Sequence, residues 1–197
     1  MSESNTKSEL TPRSAQDVAQ RVLALLTVVG KVHDPKRCAA WTRKYNVGRY
    51  LSPAEIAFVE QESPPEKLRV AFSWRAEAMV SLLWALQGLP EMPPFDKQFE
   101  VFGVEMVKAA IVDPQTFVDQ AQLRSAEEIS DMEDNLYHQH WRVRDRDLGL
   151  NVGKVLDPCP GDPPVQALDH GIVHERRYGL SWVAGWGEDW DHVPMDT

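Results

Sequence analysis

The sequence predicts an all-α fold, a compact multi-helix domain packed around a central buried helix and finished by an extended C-terminal tail. Three observations carry that reading. The stretch WRAEAMVSLLWALQGLP, from Trp74 to Pro90, is apolar on nearly every side of a helix, and a helix of that kind belongs in the middle of a core. Other segments space their apolar residues three and four apart, so each has one stripe to bury against that centre. No alternation of apolar and polar residues runs long enough to promise a sheet.

Taken in order, residues 1–12 are polar and expected to be disordered, ahead of a single helical domain over 13–197 that includes the tail 186–197. SAQDVAQRVLALLTVVGKVH opens with Ser14 as N-cap and Asp17 in the first turn. Val18, Val22, Leu25, Leu26 and Val29 form its stripe, and Gly30 reads as its stop. PKRCAAWTRKYN is a short helix bearing Lys36, Arg37, Arg43 and Lys44. Its simplest reading is a solvated face, and its other reading is a contact for an acidic partner. Ser52 with Glu55, and Ser63 with Glu66, have the spacing of capping boxes followed by proline. The first predicts a short helix through Phe58 and Val59. The second predicts the start of the central helix, which runs to about Gln87 before Gly88 and Pro90 end it.

Phe99 to Val112 reads as a helix despite its β-branched residues, and Asp113 before Pro114 opens another short one. A third box, Ser125 with Glu128, starts a long helix to about Asp147, broken by Gly149 and Gly153. After the proline-rich stretch Leu156 to Pro164, Asp162 and Pro163 cap and start a last helix that carries Val165, Leu168, Ile172 and Val173 onward to Trp182.

With 197 residues, 43% of them hydrophobic, the chain can bury one sizeable core, and its length suits one domain better than two. A balance of 30 acidic to 21 basic residues gives a net charge of -9, which repels phosphate backbones and anionic lipid surfaces, so neither nucleic acid nor membrane is an expected partner. Cys38 and Cys159 have no CxxC spacing, as suits a reducing compartment. The opening MSESNTKSEL lacks the pattern of a signal peptide, and no apolar run approaches the roughly 20 residues that span a bilayer, so the expected location is cytoplasmic. The motifs GxSxG, GxxxxGKS/T, HExxH and GxGxxG are absent, and no cofactor or metal is expected.

Chemistry is sought where polar residues fall on apolar stripes. Ile129, Met132, Leu136, His140 and Val143 share one face of the long helix, so His140 points inward. His138, rotated by roughly 200 degrees, shares the opposite face with Asp131, Asp134, Arg142 and Asp145 and reads as a surface residue. The HQH pair therefore cannot hold one metal from this helix. Arg75 has Ala71, Phe72, Ala78 and Met79 as its helical neighbours, and Arg176 stands between Ile172 and Leu180. Buried charge of this kind needs a partner, and Glu175, Glu77 and the tail carboxylates are the candidates. Glu77 lies with Ser73 and Ser81 on a narrow polar strip that reads as water-facing. In the tail WGEDWDHVPMDT, Trp186 and Trp190 are the expected anchors, and its aspartates, Asp191 among them, are expected to fold back onto Arg75 or Arg176. Arg75, Glu77, His140, Glu175, Arg176 and Asp191 make up the candidate polar cluster.

The segments VLALLTVVGKVH, LSPAE, FSWRAEAMVSLLWAL, YHQHWRVRD, HERRYGLSW and DWDHVPMDT resemble the bacterial domain of unknown function 4272 family over most of the chain after its polar start. The resemblance implies a mainly helical bacterial domain with no assigned activity, so it transfers no catalytic residue. Arg177 stands where the resemblance implies a histidine. Two functions follow as expectations. The first is an interaction or accessory module, immunity-like, that docks one protein partner through its aromatic tail and negative surface. The alternative is an enzyme in which His140 and Glu175 serve as acid and base while Arg75 holds an anionic small molecule.

Overall fold

Ser14 accepts a hydrogen bond from the Asp17 amide and so starts the first helix, α1 (Ala15–His33), in a computed structural model that describes residues 10–150 and 161–196. Gly30 does not stop α1, which continues one turn past it. A side chain at Gly30 would press on Cys38 of α2 (Pro35–Tyr45), so the glycine gives α2 room to pack, not the chain room to turn. Asp34 caps α2, and no residue of α2 is buried. A 3-10 turn (Val47–Tyr50) leads to α3 (Pro53–Glu60), where Ser52 and Glu55 form the expected capping box.

The central helix is α4 (Glu66–Ala85). Its N-cap is Pro65, without a side-chain hydrogen bond, and Ser63 stands two residues too far upstream to serve, so the expected second capping box does not form. Only the second half of α4, from Glu77 onward, is buried all round; the first turns leave Val70 in water. The expected helix over 99–112 is shorter than its apolar content suggests. Phe99 donates its amide to Glu77, a 3-10 turn (Val101–Gly103) follows, and α5 covers only Glu105–Val112. Asp113 then caps α6 (Pro114–Asp119).

Ser125 and Glu128 form the capping box of α7 (Ala126–Leu148), and Gly149 ends it at φ +62, a left-handed conformation that suits glycine. Gly153 and Cys159 lie outside the described residues. The last helix begins later than expected. Asp162 is occupied by Gln139 Nε2 at 2.6 Å, residues Val165–Ala167 form a 3-10 turn, and Asp169 caps α8 (His170–Val183).

Eight α-helices and no strand are found among the described residues. α4 packs between α1 and α8, α7 covers α8, and α2 lies on the outside of α1. Val22, Leu25, Met79, Leu82, Leu83 and Leu180 meet in the core, each contributing on the order of 2 kcal/mol by leaving water. At Gly179 α8 approaches the α4 backbone so closely that a Cβ would collide with the Ala78 carbonyl oxygen. The tail folds back over this centre through a 3-10 turn (Trp190–His192). Among the described residues no helix is long and apolar enough to cross a membrane.

Candidate functional site

Arg176 has no exposure to water, and its Nε donates to Glu77 Oε2 at 2.9 Å. Its Nη1 donates to the Pro93 and Pro94 carbonyls at 2.5 and 3.0 Å. The other Glu77 oxygen accepts from the Phe99 amide at 2.8 Å, and Ser81 donates to the Arg176 carbonyl at 2.7 Å. The polar strip of α4 therefore faces inward from Glu77 on, which corrects the water-facing reading. A guanidinium delivered by α8 to the middle of the molecule needs a carboxylate there, and the strip supplies it. Burial pulls the Arg176 pKa below its ordinary value, and the charge of Glu77 opposes that shift.

Arg75 pairs with Glu175 at 3.0 Å and lies over the Tyr178 ring, 4.3 Å from its centroid. The expected pairing of tail aspartates with Arg75 or Arg176 does not occur, because each arginine takes a helix carboxylate. What the tail offers Arg75 is the Trp190 ring at 5.8 Å. Asp191 instead accepts from the Ala54 amide at 3.1 Å, at the first turn of α3. Trp190 is 4% exposed, packed edge-on against Tyr178 and Trp182, and its carbonyl accepts the Tyr178 hydroxyl. Trp186, at 40% exposure, is not an anchor.

His140 is buried between α7 and α8, with Nδ1 2.7 Å from an Arg177 guanidinium nitrogen. The guanidinium can only donate, so Nδ1 accepts and Nε2 carries the proton. Burial first, then the charges of Arg177, His174, His170 and Arg144, push its pKa down to about 3. The His174 ring lies 5.4 Å from it, and His174 Nδ1 is 3.8 Å from Glu175. The fold thus brings His140, His174, Glu175 and Arg75 into one row, with two of the four already held by cations. His170 joins the edge of the row and is bound to Asp147 at 2.6 Å. Among the described residues no group of three or more His, Cys, Asp or Glu is arranged to hold a metal ion.

Several inward groups escape the sequence reading. Arg21 and Glu55 form a buried ion pair between α1 and α3; the signal was present, since Val18 and Leu25 flank Arg21 at helical spacing. Arg142 and His138 were placed on the water face of α7. Arg142 is instead buried, donating to Gln139 at 2.6 Å and to the Pro163 carbonyl at 2.9 Å. His138 is half-buried, 3.3 Å from the Asp162 carboxylate. The segment that covers this face comes from beyond α7, so no periodicity within α7 reveals it.

A second feature lies on the opposite side of α4 from α8. α1, α2, α4 and residues 98–102 enclose a half-open cleft of about 850 Å³. Leu26, Val29, Trp41, Ala76, Phe99 and Val101 line it, with His33, Arg37 and Phe102 also on its walls. Trp41 is fixed by its indole N–H, which donates to the Ile111 carbonyl at 2.8 Å. Cys38 lines the same wall, and its thiol, raised in pKa by burial, donates to the Thr27 carbonyl. The cleft was not legible in the sequence because one bank is the irregular stretch read as helix.

An all-helical domain with paired inward charges and an apolar cleft beside its central helix is the class that this fold and site define. The chain belongs to the family described as Domain of unknown function (DUF4272), whose model matches residues 4–193. No curated protein and no solved structure matches the chain.

Proposed function

We propose that the chain is a protein-interaction module, an accessory domain of the immunity type acting in the bacterial cytoplasm, and that it receives its partner in the cleft beside α4. The observation that carries this reading is apolar surface left unburied at one place. Phe102 on the cleft wall is 37% exposed, and Val112, next to the lining residue Ile111, is 73% exposed. A protein interface needs such a pocket at its centre, where a large apolar anchor is removed from water. The polar row supports catalysis less well. Glu175 is held by Arg75, and a histidine with a pKa of about 3 is far from the value that suits proton transfer near neutrality.

The test is co-purification of tagged protein from its host. A partner captured by the wild type is expected to be lost on joint Phe102→Asp and Val112→Asp substitution and kept on Tyr137→Asp, which alters an exposed residue of α7. Loss with Tyr137→Asp and retention with the cleft variant would contradict the proposal. Thermal melts of both variants confirm that each is folded.

A further inference from the structure

We infer that the segment received by the cleft is an acidic peptide with large apolar anchors, the anchors entering between Trp41 and Phe99 and the carboxylates meeting Arg37 and Lys44 of α2. This rests on the docking reading above and adds the chemistry of the partner.

The argument begins with α2 itself. Its sequence PKRCAAWTRKY has two lysines, two arginines and no acidic residue, in a chain whose net charge is -9. Arg37, Trp41 and Lys44 are spaced four and three apart, so they form one stripe, and Arg37 and Trp41 are on the cleft wall. Both basic residues of that stripe are exposed. The order along the stripe is cation, indole, cation.

The carboxylates of the cleft do not neutralise this bank, because each is already engaged. Glu77 accepts from Arg176 and the Phe99 amide, Asp34 accepts from the Arg37 amide at 3.1 Å, and Glu100 accepts from the Phe102 amide at 3.1 Å. The Arg37 guanidinium makes no hydrogen bond or ion pair among the described residues. Lys44 donates to the neighbouring Tyr45 hydroxyl at 2.9 Å and has no carboxylate partner among them. A basic or neutral segment laid along this bank would desolvate two cations without compensation, whereas an acidic one meets each with a charge-assisted hydrogen bond. The net negative charge of the chain does not oppose this at contact range, since charges beyond about 8 Å are largely screened at physiological ionic strength. The apolar floor adds the second requirement, one or two large anchors such as Leu, Phe or Trp on the same segment.

The experiment is selection of a random dodecapeptide display library against the full chain. The enriched sequences are expected to combine aromatic or leucine anchors with flanking Asp and Glu. A synthetic peptide of the leading sequence is expected to bind about tenfold or more weakly to the Arg37→Glu, Lys44→Glu chain and to the Phe102→Asp chain, and to weaken as salt rises. All three substituted residues are exposed, so the variants keep their fold. Peptides that need Phe102 but ignore the charge reversal would overturn the acidic chemistry and leave the docking reading standing. Absence of any Phe102-dependent peptide would overturn both. If anilinonaphthalene sulfonate bound in a Phe102-dependent way while no peptide was enriched, the cleft would belong to a small amphipathic anion and the inference would fail.

Discussion

Glu77 holds two buried groups at once, the Arg176 guanidinium and the Phe99 amide. Glu77→Leu leaves a charge uncompensated at full burial, and the expected loss is about 3–5 kcal/mol in urea unfolding. Adding Arg176→Met is expected to recover most of that loss, leaving about 1–3 kcal/mol for the unpaired amide. A double variant no more stable than the single one would contradict the pairing. His140 makes a separate prediction through pH. Its folded pKa of about 3 lies below the ordinary 6.5, so between those values the unfolded chain binds more protons and stability falls as pH falls. From about pH 7 to about pH 5 this group alone is expected to remove about 2 kcal/mol, and His140→Gln is expected to lack that part of the decline. Equal declines in both proteins would contradict it. That Arg75, Arg176 and His140 point inward was legible from helical spacing. Their partners were not, because Glu77 and Arg176 stand on different helices and spacing says nothing about what lies across an interface.

The helices were legible to the extent that their ends carry side-chain chemistry. Ser14, Ser52, Asp113 and Ser125 each cap the helix expected of them. Where the end depends on packing, the reading slipped: α1 runs past Gly30, and α8 begins at His170 because Asp162 serves Gln139 instead of a helix. The residues from Phe99 to Val104 are apolar enough for a helix, yet Glu77 takes the Phe99 amide and bends them into a bank of the cleft. The contact between α4 and α8 is the most exacting of the element pairs. Gly179→Ala forces a methyl group onto the Ala78 backbone, which cannot move aside without shifting α4. The expected cost is about 1–3 kcal/mol, read as a lower midpoint in thermal unfolding. An unchanged midpoint would show that the two helices are less closely packed than this.

On the scale of the whole molecule, the tail closes the face made by α3, α4 and α8. Trp190 fills the space between Tyr178 and Trp182, Asp191 reaches the start of α3, and the Asp196 carbonyl accepts from Arg177 at 3.0 Å. Trp190→Ala is expected to cost about 3–5 kcal/mol, and a chain truncated after Gly185 is expected to melt well below the full one. A truncated chain that melts as the full one does would contradict this role of the tail. The aromatic, acidic tail was legible as a strap; which tryptophan anchors it was not, since Trp186 and Trp190 have the same local composition. The apolar cleft is the feature the fold leaves uncovered, and its use as the docking site is the central claim. The most direct measurement replaces Phe102 by a photoreactive benzophenone residue in the host cell, with Tyr137 replaced likewise as the control. The account predicts a discrete protein adduct from position 102 and none from position 137. An adduct from position 137 alone would contradict it.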